Sequence, residues 1–193
     1  MDYRALYRRV DEAGASLITF DYVGAEVVAL TDVEEIHLWA IEETPLTGEA
    51  YYVLLDDRSS PYNGEFLIAE ISYCSSLDGD LAEQRFMLTK ELMHVFDAEE
   101  HRTDTREKFY QLLRDLQNLP MNTEIAAVGA EKNARWMALL VLFPKRLRDA
   151  AKLEVEAGTA DITMIAERSV LPVWAISAAL DKYYDEAWAL LTQ

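Results

Sequence analysis

The chain has 193 residues, of which 51 % are hydrophobic, and a formal net charge of −17. This length and apolar content predict one folded domain with a sizeable core, and they argue against a disordered chain. The acidic balance opposes direct binding to nucleic-acid phosphates, which requires clustered basic side chains, and it favours solubility and basic partners.

Three features of the sequence bear on where the protein resides. No apolar run reaches the roughly 18 residues that a membrane-spanning helix needs. Cys74 is the only cysteine, which excludes an intrachain disulfide. The first residues lack the apolar segment of a secretory signal. We therefore expect a cytoplasmic protein that makes no membrane contact.

The N-terminal part of the chain mixes helical and strand patterns. Residues 1–13 have apolar side chains at helical spacing, and β-branched and aromatic residues predict strands at 17–20 and 27–30. Residues 32–42 fit a helix that starts with a capping box at Thr31, and a strand at 36–41 fits almost as well, so both remain open. Further strands are predicted at 51–55 and 66–73.

A central helix follows a capping aspartate, Asp80. One side of this helix is an apolar stripe, formed by Leu88, Leu92, Val95 and Phe96. Another side carries Lys90, Glu91 and His94. The zinc motif H-E-x-x-H places two histidines four residues apart, with a glutamate as general base beside the first. Here a lysine replaces the first histidine, and a protonated lysine has no lone pair to give a metal. Taken alone, the pattern is more typical of a surface Lys–Glu pair and a hydrogen-bonded histidine.

A second helix is predicted from residue 131 to Pro144, where proline ends it. Ala134 and Ala138 lie on the same face as Glu131 and would let another helix approach closely. If that neighbour is the central helix, Glu131 approaches His94, and we expect their side chains within about 10 Å, the reach of one coordination shell.

The remaining elements are helical. Residues 105–117 and 145–157 predict helices, the second ended by Gly158, and residues 161–169 and 172–191 predict two more. The last helix is acidic with Lys182 as its basic residue, which does not suit DNA recognition. We interpret it as a packing element or as a protein-binding surface anchored by Trp174 and Trp188.

Two stretches together resemble the ImmA/IrrE family of zinc metallopeptidases. Residues 85–94 read R-F-M-L-T-K-E-L-M-H, similar to the family's R-F-T-L-A-H-E-L-G-H. Residues 131–144 resemble its third-ligand helix, E-x-x-A-[ND]-x-F-A-x-x-L-L-M-P. The matching positions are Glu131, Ala134, Ala138, Leu142 and Pro144. The resemblance covers about residues 60–180.

The resemblance implies an α+β, zincin-like fold, mostly helical, with a small mixed sheet in the N-terminal half and a helical C-terminal end. We expect one domain over 1–193, divided into a helix and β-rich part (1–80), the motif helices (81–144) and a helical C-terminal part (145–193). It also implies that the strand at 66–73 runs beside the site and pairs with extended substrate.

Carried over residue by residue, Glu91 is the ancestral general base, idle here, and His94 and Glu131 are vestigial ligand positions. Lys90 replaces the first ligand, and we expect its ammonium to stand in for the charge of the metal. The lead expectation is a non-catalytic relative without a cofactor. Family members cut helix-turn-helix repressors to switch on stress or mobile-element genes, so the expected partner is a DNA-binding regulator.

Two rival interpretations remain. One is an active metal-dependent peptidase that binds zinc through His94, Glu131 and a further residue such as His101 or Asp97. The other is a structural or assembly protein built on an inherited zincin fold. Metal content separates the first rival from the other interpretations, and capture of a DNA-binding regulator separates the lead from the structural role.

Overall fold

The computed structural model describes residues 2–42, 50–56, 67–97 and 126–193. These residues form an α+β fold of eight helices and three strands, as predicted at the level of class. The helices are α1 (Tyr3–Glu12), α2 (Phe20–Leu30), α3 (Leu81–Met93), α4 (Ala126–Leu142), α5 (Lys145–Glu156), α6 (Ile162–Ser169), α7 (Val173–Leu180) and α8 (Tyr183–Thr192). The strands are β1 (Val33–Ile41), β2 (Ala50–Asp56) and β3 (Leu67–Cys74). Short 3-10 turns, Ser75–Gly79 and His94–Phe96, flank α3.

The three strands form a mixed sheet in the order β1-β3-β2, parallel between β1 and β3 and antiparallel between β2 and β3. One row across the sheet consists of Leu38, Ile71 and Tyr52. Ile71 is fully buried, and α2 and α3 lie against the sheet. Successive side chains of a strand point to opposite faces, so the alternate row that contains Trp39 faces away from these helices.

The strands predicted at 17–20 and 27–30 are wrong, because residues 17–19 lie in the connection before helix α2 and residues 20–30 form that helix. The Thr19 hydroxyl accepts a hydrogen bond from the amide of Tyr22 and caps the helix. Val23 and Val27, four residues apart, are both fully buried. Burial of one helical face therefore overrides the strand propensity of the valines.

Residues 32–42, which the sequence left open, contain strand β1. The Thr31 hydroxyl donates to the carbonyl of Val27 and accepts from the amide of Val33. It therefore closes α2 and opens the strand, and the capping box does not start a helix.

The helix predicted at 172–191 is two helices, α7 and α8. Asp181 adopts an extended backbone between them, and its carboxylate accepts a hydrogen bond from the amide of Tyr183. Tyr184 is fully buried and donates its hydroxyl to the carbonyl of Phe143, which fixes α8 against the end of α4. The predicted stop of α5 is confirmed, since Gly158 has φ +68 just beyond it.

Within the described ranges, no single helix has the length and apolar character to span a membrane. Taken together, α6 and α7 have the required length and composition, but the pair is bent by 114°.

Helices α3 and α4 pack side by side, as the two alanines predicted. Ala134 and Ala138 are fully buried at this contact, and small side chains let the helix backbones approach closely. Asp80 caps α3 by accepting from the amides of Ala82 and Glu83, again as predicted. Helix α4 ends at Leu142, before Pro144. The predicted helix at 105–117 and the candidate ligand His101 lie outside the described residues.

Candidate functional site

The end of α3 and the first half of α4 bring the sequence-predicted residues into one cluster. Lys90 Nζ lies 2.8 Å from Glu91 Oε1 and 2.5 Å from Glu131 Oε2. His94 Nε2 lies 3.2 Å from Glu131 Oε1. The predicted approach of His94 and Glu131 is therefore confirmed. We call Lys90, Glu91, His94, Asp97 and Glu131 the lysine-centred cluster.

Lys90 lies at the centre of the cluster, and only 6 % of its side chain is exposed. Burial acts to lower the pKa of Lys90, but the adjacent carboxylates of Glu91 and Glu131 outweigh it and raise the pKa above its ordinary value. The lysine is therefore charged at neutral pH. The surface Lys–Glu pair that the motif alone suggested is wrong, because the side chains of Lys90 and Glu91 are both buried.

Glu91 is the most deeply buried carboxylate of the cluster, with 3 % of its side chain exposed. Burial raises the pKa of Glu91 above its ordinary value, although the charges of Lys90 and His94 act in the opposite direction. Its ionised form is costly and depends on the neighbouring ammonium.

His94 is held by a carboxylate on each side. Nδ1 lies 2.7 Å from Asp97 Oδ2, while Nε2 is buried near Glu131, and near Glu91 at 3.8 Å, without a well-directed hydrogen bond. Burial acts to lower the pKa of His94, but the contacts with Asp97 and Glu131 and the charge of Glu91 raise it to about 9. His94 is therefore an imidazolium at neutral pH, with a proton on each nitrogen.

Glu131 forms the solvent-facing edge of the cluster, with 43 % of its side chain exposed. Burial acts to raise the pKa of Glu131, but the contacts with His94 and Lys90 lower it to about 2. With all groups ionised the cluster holds two cations and three carboxylates.

These residues do not fit a zinc ion. Catalytic zinc takes three protein ligands and one open position, and the cluster offers His94 and Glu131. The Lys90 ammonium contacts both glutamates, where it would repel a second cation. Asp97 contacts Nδ1 of His94. A carboxylate in this position orients a metal-binding histidine and does not itself bind the metal. Among the described residues, no group of three or more His, Cys, Asp or Glu side chains could hold a metal ion.

The strand expected to bind extended substrate, 66–73, has a different role. It is β3, and it pairs with β1 on one side and β2 on the other, so its backbone groups are occupied within the sheet. Strand β2 lies beside the cluster, and the centroid of its Tyr52 ring lies 6.2 Å from that of the His94 ring, at a 30° tilt. Sequence reasoning missed Tyr52 because its neighbour lies about 40 positions away along the chain.

Arg85 is a further residue whose role the sequence did not reveal. Its Nη1 donates to the carbonyls of Ser169 and Val170 at the end of α6, at 2.6 and 2.8 Å. Burial lowers the pKa of Arg85 to about 10. Cationic donors stabilise helix C-termini, so Arg85 joins the motif helix to the C-terminal helices.

The two tryptophans considered as protein-binding anchors make contacts within the fold. The Trp174 indole donates to Glu83 and packs edge-on against Phe86, although 44 % of Trp174 is exposed. Trp188 donates to the Tyr7 hydroxyl. Both side chains pack α7 and α8 onto the rest of the domain.

Comparisons with family models, with curated proteins and with solved structures found no match to this chain.

Proposed function

We propose that this protein is a non-catalytic, zincin-like relative of the ImmA/IrrE metallopeptidases that binds a protein partner without cutting it. The observation that carries the proposal is the position of Lys90 Nζ, 2.8 Å from Glu91 and 2.5 Å from Glu131. In the motif that the sequence resembles, position 90 supplies the first metal ligand. An ammonium at this position neutralises the two glutamates and occupies the cation position.

The protonation of His94 supports the same proposal. A metal-binding histidine must offer a lone pair. With a pKa of about 9, His94 carries protons on both nitrogens at neutral pH and donates to Asp97. Glu91 Oε1 accepts a hydrogen bond from the Lys90 ammonium, so this oxygen does not activate a water.

The proposed partner is a helix-turn-helix repressor, as the resemblance suggests. A net charge of −17 suits a partner that carries the basic surface of a DNA-binding protein. The cluster then has a structural task, which is to hold α3 and α4 together without a metal. The cytoplasm is the expected compartment for such a partner.

One observation favours the rival, a metal-dependent peptidase. Asp97 binds Nδ1 of His94 and leaves Nε2 facing Glu131, which is the orientation that carboxylates impose on zinc-bound histidines. A third ligand would have to come from outside the described residues, for example from His101.

Metal analysis distinguishes the two functions. The protein is purified without chelators or metal-affinity resin, incubated with equimolar zinc, desalted and analysed by mass spectrometry of the metal. We expect far less than one zinc per chain. Stoichiometric zinc that His94→Ala removes, together with peptide hydrolysis that Glu91→Gln abolishes, would establish the peptidase and reject the proposal.

Partner binding is tested separately. The tagged protein is incubated with DNA-binding regulators from its own host, and bound proteins are identified by mass spectrometry. We expect a helix-turn-helix regulator of full length. Recovery of a shortened regulator indicates cleavage, and the absence of any regulator supports the structural role.

A further inference from the structure

Strand β1 forms an edge of the sheet that is open among the described residues. It pairs with β3 on one side, and no other described strand pairs with it. Alternate residues of such a strand direct their N–H and C=O groups away from the sheet, and these groups can pair with another strand.

The side chains of β1 are unusual for an open edge. Residues 36–41 read I-H-L-W-A-I and contain no Lys, Arg, Asp, Glu or Pro. Leu38 is 42 % exposed and Trp39 is 53 % exposed, on opposite faces of the strand. Proteins usually protect an edge with charged residues, proline or a bulge. In β1 such protection is confined to the first three residues of the strand, which contain a register irregularity and the carboxylates Glu34 and Glu35.

We propose that this edge is a self-association surface, on which a second copy of the chain adds its own β1 in antiparallel orientation. The two sheets would join into one sheet of six strands. A twofold axis perpendicular to the sheet places the helices of both copies on the same side. In an antiparallel pair, side chains directly opposite each other lie on the same face of the sheet. Because this axis keeps every residue on its own face, the register must place one residue directly opposite the same residue of the second copy.

The register centred on His37 is the one that pairs β1 over its whole length. It places Ile36 opposite the second copy's Leu38 on the helix side, and Glu35 opposite its Trp39 on the other side. Glu34 lies opposite Ala40. Within Val33–Ile41 no carboxylate faces another carboxylate, whereas centring the pairing on Ile36 or on Leu38 would leave two residues at one end of each strand unpaired. Like charges directly opposite each other destabilise a strand pair.

The size and charge of the surface set the expected strength. Nine residues give an edge about 30 Å long, which is at the small end of specific interfaces. Each copy carries a net charge of −17, so the copies repel each other and salt screens that repulsion. We expect a dimer that dissociates on dilution into the micromolar range and that is stronger at about 0.5 M than at about 0.05 M salt.

The first test is sedimentation velocity on the wild type and on two matched variants, Trp39→Glu and Trp39→Lys. Protein concentrations from about 1 to 200 µM span micromolar affinities. Both variants remove the same apolar side chain at an exposed position. In the proposed register, the new carboxylate faces Glu35 of the second copy, whereas the new ammonium can pair with it. We expect Trp39→Glu to dimerise at least about tenfold more weakly than Trp39→Lys, because each dimer contains two such pairs. A wild type that stays monomeric, or equal affinities for the two variants, would overturn the proposal.

The second test fixes the register by cysteine cross-linking. Residues directly opposite in an antiparallel pair have Cα atoms about 4.5–5.5 Å apart, within the range of a disulfide. We expect His37→Cys to form a disulfide-linked dimer under mild oxidation. In Glu34→Cys the two thiols would be about 20 Å apart along the strands, and no cross-link should form. The wild type serves as control for Cys74, which is buried. A cross-link in Glu34→Cys without one in His37→Cys would reject this register.

Discussion

Replacing Lys90 with methionine removes the central ammonium of the cluster and keeps most of the volume of the side chain. Glu91, which is 3 % exposed, then loses its closest cation, at 2.8 Å. Removing one partner of a buried ion pair typically costs about 3–5 kcal/mol. The contact with Glu131 adds little, since 43 % of that side chain is exposed and exposed pairs are worth about 0–1 kcal/mol. His94 stays 3.8 Å from Glu91 and offsets part of the loss. We therefore expect a loss of about 3 kcal/mol.

Urea unfolding at pH 7 measures this loss in a double-mutant cycle of Lys90→Met, Glu91→Gln and the double variant. For a chain of this size, about 3 kcal/mol lowers the melting temperature by about 6–12 °C. The double variant should be more stable than Lys90→Met, because it buries no unpaired charge. A Lys90→Met variant within about 1 kcal/mol of the wild type, the range of an exposed pair, would refute the reasoning.

The pH dependence of Lys90→Met supplies an independent check. Burial already raises the folded-state pKa of Glu91 above its unfolded value, and loss of the lysine raises it further. The folded state of the variant then binds more protons than the unfolded state, so its stability increases as the pH falls. The deficit relative to the wild type should shrink between pH 7 and pH 5. A constant deficit would mean that the ionised Glu91 is not its cause.

Three further predictions concern the metal, the histidine and two glycines. The variant Lys90→His should bind zinc, because it completes a set of three ligand positions with His94 and Glu131. Lys90→Gln, which supplies no such ligand, is the control. Absence of zinc from both variants would contradict the proposed ancestry of the site. The pKa of His94 is about 9 in the folded state and 6.5 in the unfolded state. The protonated His94 therefore stabilises the fold fully below pH 6.5, and this stabilisation is lost as the pH rises through 9. Urea titrations should show that the free energy of unfolding decreases by about 3 kcal/mol across that pH window. The decrease should be absent in His94→Asn and unchanged in His37→Gln, a control at an exposed site. Thermal melts should show that Gly129→Ala, in the interior of α4, stabilises by about 0.5–1 kcal/mol, and that Gly158→Ala, at φ +68, destabilises by about 1 kcal/mol. Equal signs for the two alanines would contradict the backbone argument.

Local patterns predicted the motif helices well because the information lies within a few residues. The capping side chain of Asp80 and the stop at Pro144 act on adjacent backbone groups. The small residues Ala134 and Ala138 predicted close packing of α3 and α4, and therefore the meeting of His94 and Glu131. In these segments, spacing along the chain alone decides which side chains share a face.

The errors arose where a distant element decides the local conformation. Residues 17–30 contain β-branched residues, yet α2 forms because Val23 and Val27 are buried under the rest of the domain. Residues 32–42 fitted both a helix and a strand until pairing with β3 selected the strand. The break between α7 and α8 at Asp181 lies in a stretch whose apolar pattern continues across it.

The sequence by itself determined that Lys90, Glu91 and His94 lie near one another at the end of one helix, and that a lysine stands where the H-E-x-x-H motif has its first histidine. Only the tertiary structure decided that the lysine is buried between two glutamates and that His94 is protonated. The reason is electrostatic: the energy of a charge depends on its distance from water and from other charges. Asp97 is near in sequence, but Glu131 and Tyr52 come from other elements, and packing alone places them around the histidine.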